Sequence, residues 1–210
     1  MKNTEYNRPY MVFGDDPYHP DSILSGQTPS DEHLIAMGKV TVAFTQLEET
    51  VSIYFSLLLG CEPELASILA NSLPTRERCD ILFHIFAYRF GAADMIRSGT
   101  NVKRDRRLQH LSQLFKKIHE AATLRNQILH SAWSSDIEDE QKAHRIKWGK
   151  KQAQPGFPSA DYDVLTAKEL LKHADFIKQV RNELYSFFRK HFDSWIQQRA
   201  ENSEGGLQLL

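Results

Sequence analysis

From Thr28 to Gly60 the apolar residues Ala36, Val40, Ala43, Leu47, Val51, Tyr54 and Leu58 recur at three- and four-residue steps. That spacing returns to one face of a 3.6-residue helix and predicts a long amphipathic helix. Thr28 is expected to cap it, Pro29 suits the first helical position and Asp31 completes a capping-box spacing, with Gly60 as the stop. "PELASILANSL" predicts a short second helix, and "PTRERCDILFHIFAYRFG" a third, with Ser72 or Thr75 as cap and Gly91 as stop. After the polar stretch "SGTNVKRD" the helical period resumes from about Asp105 to Trp133. A final long helix opens on Thr166 and Glu169, which have capping-box spacing.

Between the last two helices the period breaks. In "HRIKWGK" the residues alternate, Ile146 and Trp148 against Arg145 and Lys147, which predicts a strand pairing back onto Ala132–Ser135 as a short hairpin over about 132–150. "QAQPGFPSADYD" reads as a loop. The pattern is an all-α, up-and-down bundle of about five helices with a short β-hairpin insertion, in one domain spanning 28–198. Residues 1–27 form a proline-rich arm whose Tyr6, Tyr10, Phe13 and Tyr18 suit packing on a surface, and 199–210 a flexible tail.

Composition adds exclusions. With 41% hydrophobic and 25% charged residues the chain is neither disordered nor fibrous, and a formal net charge of −1 means that any attraction for nucleic acid must come from local patches. Cys61 and Cys79 fit no zinc spacing and are expected as buried or half-buried thiols in a reducing compartment. The N-terminus lacks an apolar core of signal-peptide type, and no apolar run reaches the roughly 18 residues of a membrane span. A cytoplasmic protein without membrane contact is the expectation.

The chemistry gathers in "LRNQILHSAW", Leu124–Trp133. On a helical wheel Leu111, Leu114, Phe115, Ile118, Ala121, Ala122, Ile128, Leu129 and Ala132 fall within roughly 80° of Arg125. An unpaired charge in that stripe is costly, so Arg125 is expected to meet an acid or to line a cleft that takes an anion. Glu48, at the edge of the first helix's apolar face, is one candidate acid. Asn126 and His130 share a polar flank with Ser112, His119 and Thr123. Arg125 and His130 lie about 140° apart around the axis, yet the long guanidinium stem lets both tips meet one ligand. A histidine moves protons near neutral pH, and in the last turn of a helix the macrodipole favours its charged form. By contrast, His191 among Leu184, Phe187, Phe188 and Trp195 reads as a core histidine.

The spacing R-x(4–6)-H is weak by itself. Thirteen arginines and nine histidines give about 1.7 chance matches, and Arg78 with His84 and Arg104 with His110 are two others. The context of the third match distinguishes it: Asn follows the Arg, Ser follows the His, and the pair closes a long amphipathic helix leading into a hairpin. Here the chain resembles the HEPN domains of bacterial and archaeal nucleases, in which a bundle helix ends in an Arg, a polar residue, a short apolar stretch and a His. Arg125, Asn126, Gln127–Leu129 and His130 match that motif, and the resemblance covers about residues 28–198. It implies a metal-independent, cofactor-free endoribonuclease, of the toxin or phage-defence kind, whose two protomers share a composite cleft. His130 would then act as general base or acid, Arg125 would neutralise the scissile phosphate and Asn126 would orient one of them. The family also uses the bundle without activity, as a module binding nucleic acid, a nucleotide or a partner protein. A neutralising antitoxin or defence-system partner belongs to the same expectation. The proline-rich arm and the hairpin depart from the minimal fold.

Two basic clusters bear on RNA as the partner. "KAHRIKWGKK" carries five Lys or Arg and no acid, so Arg145, Lys147, Trp148, Lys150 and Lys151 are candidate nucleic-acid contacts, with Trp148 for stacking. "KRDRR" at 103–107 is the second, and the acidic "DIEDE" partly offsets the first. No P-loop, GxGxxG, HExxH or GxSxG motif is present.

Overall fold

The computed structural model describes residues 28–90, 105–136, 139–154 and 157–204, with backbone alone at 63, 148–154, 157–160 and 193–204. These residues are mostly helical, with one small antiparallel sheet. The elements run α1 (Asp31–Leu59), α2 (Pro63–Ser72), α3 (Thr75–Arg89), α4 (Arg106–Leu129), β1 (Ala132–Ser135), β2 (Lys142–Gln154), β3 (Phe157–Thr166) and α5 (Ala167–Glu204). They fall into two compact units, one within Met1–Val40 and Arg125–Lys172, the other within Thr41–Leu124 and His173–Leu210. The proline-rich arm 1–27 and the Gly91 stop lie outside the described residues.

The helical unit follows the periodicity closely. In α1 the expected residues Ala43, Leu47, Val51, Tyr54 and Leu58 are all buried. Leu111, Leu114, Phe115, Ile118 and Ala121 do the same for α4, and Ile177, Val180, Leu184, Phe187 and Phe188 for α5. Gly60 ends α1 as expected, with φ 65°, a left-handed conformation that glycine adopts without steric cost. Glu48 pairs with the buried Arg78 at 3.4 Å and accepts the Thr75 hydroxyl. Ser52 takes the other guanidinium arm of Arg78. Thr75, so engaged, does not cap α3, whose N-cap position is Pro74. His191 is half-buried against Phe86, Phe90 and Phe187, and desolvation holds its pKa below the ordinary histidine value. Both thiols are free; burial pushes that of Cys79 up to about 12.

Caps show where local signals sufficed. Asp105 caps α4 through the amides of Arg107 and Leu108, at 2.8 and 3.3 Å, and also pairs with the Arg107 side chain. Part of the "KRDRR" cluster is therefore occupied with starting a helix. Thr166 and Glu169 form the expected reciprocal box at the start of α5, with the Thr166 amide on the carboxylate at 2.8 Å and the Glu169 amide on the hydroxyl at 3.2 Å. The cap of α1 falls two residues later than expected. Ser30 occupies the position before the first helical residue, its carbonyl accepting the Leu34 amide and its hydroxyl meeting the His33 ring at 2.7 Å. α5 continues to Glu204, through residues expected as tail.

The sheet unit corrects the hairpin to three strands in the order β1-β2-β3, both pairings antiparallel. The expected pairing of Ala132–Ser135 with the strand around Ile146 is present, in the register Ala132↔Ile146 and Trp133↔Arg145. Of the stretch read as a loop, Gln152–Gln154 ends β2 and Phe157–Asp163 belongs to β3, which pairs along β2 from Gln154↔Phe157 to Lys142↔Thr166, with register shifts on either side of Gln152. Cross-strand hydrogen bonding to β2 stabilises this segment where its own residues do not alternate.

Candidate functional site at the end of the fourth helix

The helix carrying the motif stops at Leu129, four residues before the expected end, and His130 forms its closing turn, its amide on the Asn126 carbonyl at 3.2 Å. After the turn at His130 and Ser131 the chain enters β1, so the apolar stripe ends there too: Ile128 is buried but Leu129 is exposed. The last carbonyls of a helix lack intrahelical donors. Here the following residues and β2 supply them. Trp133 donates its indole N–H to the Ile128 carbonyl at 2.8 Å, the Ser131 hydroxyl donates to the Gln127 carbonyl, and Lys147 Nζ reaches the Asn126 carbonyl at 3.4 Å.

The three motif residues sit on this turn in different environments. Arg125 is half-buried, as a mid-stripe position demands, and donates from Nη1 to Asn126 Oδ1 at 2.8 Å. Asn126 is exposed, and accepting through Oδ1 leaves its amide N–H groups as further donors. His130 is exposed. The geometry offers an oriented guanidinium–amide pair and, one turn on, an imidazole open to solvent.

The basic strand is rearranged relative to the expectation. Arg145, expected at the surface as a nucleic-acid contact, is 3% exposed. It lies between Trp133 and Asp163 in the register, donates to the Asp163 carboxylate, and reaches Ser131 Oγ at 3.4 Å. The physical reason is that β2 is the central strand: Ala143, His144, Arg145 and Ile146 are all buried, so both of its faces are covered and alternation no longer separates solvent from core. Lys147 is half-buried and stays beside the motif. The side chains of Trp148, Lys150 and Lys151 lie outside the described residues. Lys142 pairs with Asp139 at 2.9 Å.

Sequence reasoning missed the sheet's other polar side chains. His144, 8% exposed, is held between Asp136, at 2.9 Å from Nε2, and the Tyr162 hydroxyl on Nδ1. The roles of Ser131 and Asp163 were equally invisible. Only the position of Trp133 three residues after His130 was a signal, since an indole N–H so close to a helix end is a ready carbonyl cap. The helical unit carries a further groove of about 730 Å³, lined by His110, Glu183, Phe187, Lys190 and His191 among others. Its Glu183 is engaged with Lys117 at 2.6 Å, which holds the carboxyl below the usual range.

No helix among the described residues is long and apolar enough to cross a membrane. No protein-family model, no curated protein and no solved structure matches this chain.

Proposed function

We propose that the chain is a metal-independent endoribonuclease of HEPN type, acting as a homodimer in toxin or phage-defence chemistry. One observation carries the reading: the Arg125 guanidinium is bonded to Asn126 on the same closing turn that leaves His130 open to solvent. Phosphodiester cleavage needs charge neutralisation and proton transfer, and these residue types supply both.

In the proposed reaction one His130 takes the proton of a ribose 2′-hydroxyl. The resulting alkoxide attacks the adjacent phosphorus, the P–O5′ bond breaks, and the departing 5′ oxygen takes a proton from the His130 of the partner subunit. The products are a 2′,3′-cyclic phosphate and a 5′-hydroxyl. Arg125 neutralises the non-bridging oxygens as charge builds, its bidentate fork suiting a phosphate. Asn126 holds that guanidinium through Oδ1 and turns its amide N–H groups toward the ligand. The resemblance supports the pairing of two protomers, so that each site holds two imidazoles, one to accept and one to donate.

The test is incubation of purified protein with structured and unstructured RNA in EDTA, beside His130→Ala and Arg125→Ala. Cutting that survives EDTA and is lost in both variants supports the reading. Equal cutting by wild type and His130→Ala overturns it. Binding of RNA without any cutting replaces it with the alternative, a catalytically silent module that binds nucleic acid, a nucleotide or a partner protein.

A further inference from the structure

The candidate site lies at the C-terminal end of α4, the end at which a helix presents carbonyl oxygens and about half a negative charge. A phosphate approaching bare carbonyls there meets repulsion. Three consecutive carbonyls of this turn are instead covered by donors: Asn126 by the His130 amide at 3.2 Å and, in addition, by Lys147 Nζ at 3.4 Å, Gln127 by the Ser131 hydroxyl, and Ile128 by the Trp133 indole at 2.8 Å. Asn126 is the meeting point, because its side chain holds Arg125 at 2.8 Å while its carbonyl receives Lys147. Lys147 enters no ion pair among the described residues, and its cross-strand neighbour is Asp161.

We infer that Lys147 is a second cation of the motif's anion site. With Arg125 it converts the negative end of α4 into a surface that holds a single-stranded RNA phosphodiester. The sheet is thereby an electrostatic part of the site rather than an appendage: β1 silences one carbonyl, and β2 brings a positive charge to another. A β2 lysine that only decorated the surface would face solvent, whereas this one reaches back to the residue that orients Arg125. The inference rests on the proposed reading for the identity of the anion.

The test uses a fluorescein-labelled, fully 2′-O-methylated single-stranded RNA oligonucleotide, which lacks the attacking hydroxyl and so reports binding alone. Anisotropy titrations over a salt series compare wild type with Lys147→Ala, Lys147→Arg, Asp161→Asn and, as a control on exposed α4 surface, Lys116→Ala. Lys147→Ala is expected to weaken binding about 5-fold at low salt and to reduce the salt slope by about 0.7, the value for one phosphate contact on a single strand. Lys147→Arg retains most of the affinity, Asp161→Asn strengthens it, and Lys116→Ala leaves it unchanged. Equal effects of Lys147→Ala and Lys116→Ala, or no gain from Asp161→Asn, overturn the inference, as does wild type that fails to bind the oligonucleotide. The two readings separate on unmodified RNA. Cutting with Lys147-independent binding removes this inference alone; Lys147-dependent binding without cutting removes the nuclease alone.

Discussion

Replacing Asp163 by alanine should destabilise the sheet unit more than replacing the buried arginine it serves. The Arg145 side chain is 4% exposed and that of Asp163 is 54% exposed. A hydrogen bond involving a charged group is worth about 1.5–3 kcal/mol, and solvent screening of the half-exposed carboxylate places this one near the low end. Asp163→Ala also leaves a guanidinium buried, with the Ser131 hydroxyl at 3.4 Å as a weak substitute. Together these put its cost at about 2 kcal/mol. Arg145→Met loses the same bond, but fills the space with an apolar stem and leaves only an exposed acid, so about 1 kcal/mol is expected. The double variant should match Arg145→Met, a coupling of about 2 kcal/mol. Urea unfolding followed by tryptophan fluorescence measures all three, because Trp133 lies directly across from Arg145. If Arg145→Met proves the costlier single change, or if the two singles simply add, Arg145 is not held by Asp163 in the way described. Losses of oligonucleotide affinity in Arg145→Met at unchanged stability would return Arg145 to the nucleic-acid surface.

Three further outcomes follow from the helical unit. Gly60→Ala places a Cβ 3.1 Å from Arg89 Nη2 at φ 65°, so thermal unfolding should begin lower, by about 1–2 kcal/mol of stability; an unchanged midpoint would refute the strained turn. Cys79, its thiol pushed up to about 12 by burial, should resist iodoacetamide at pH 8 until urea is added, while the half-buried Cys61 reacts first, and mass spectrometry showing equal rates would contradict this. Glu183 is held below the ordinary carboxylate range chiefly by its hydrogen bond to Lys117, so its contribution is fully present above the unfolded value and fades as pH falls through the folded one. With the two side chains 30% and 41% exposed, the contribution is below about 1 kcal/mol; Glu183→Gln should flatten the acid limb of stability between about pH 5 and 3, and an identical acid limb would remove the pair from the account.

The candidate site was legible in part. Arg125 in mid-stripe announced a polar partner, and the structure supplies one in Asn126, its immediate neighbour in the chain. Glu48 was spoken for by Arg78, an arginine whose own place in the core left no periodic signature. The surface of the basic strand was misjudged at Arg145 because alternation reports which residues share a face, not whether that face is covered.

The division between sequence and tertiary structure follows the range of the interactions. Helix faces, the Gly60 stop and the Thr166–Glu169 box depend on residues within a turn or two of one another, so the order of side chains along the chain is enough to determine them. The third strand, the partner of Arg145 and the donors that cover the end of α4 were decided only by the fold. They bring different elements within hydrogen-bond reach of one another, as Trp133 is to Ile128, Arg145 to Asp163 and Lys147 to Asn126. A one-dimensional pattern carries no term for such meetings, because their free energy comes from burial and pairing that exist only once the sheet has closed.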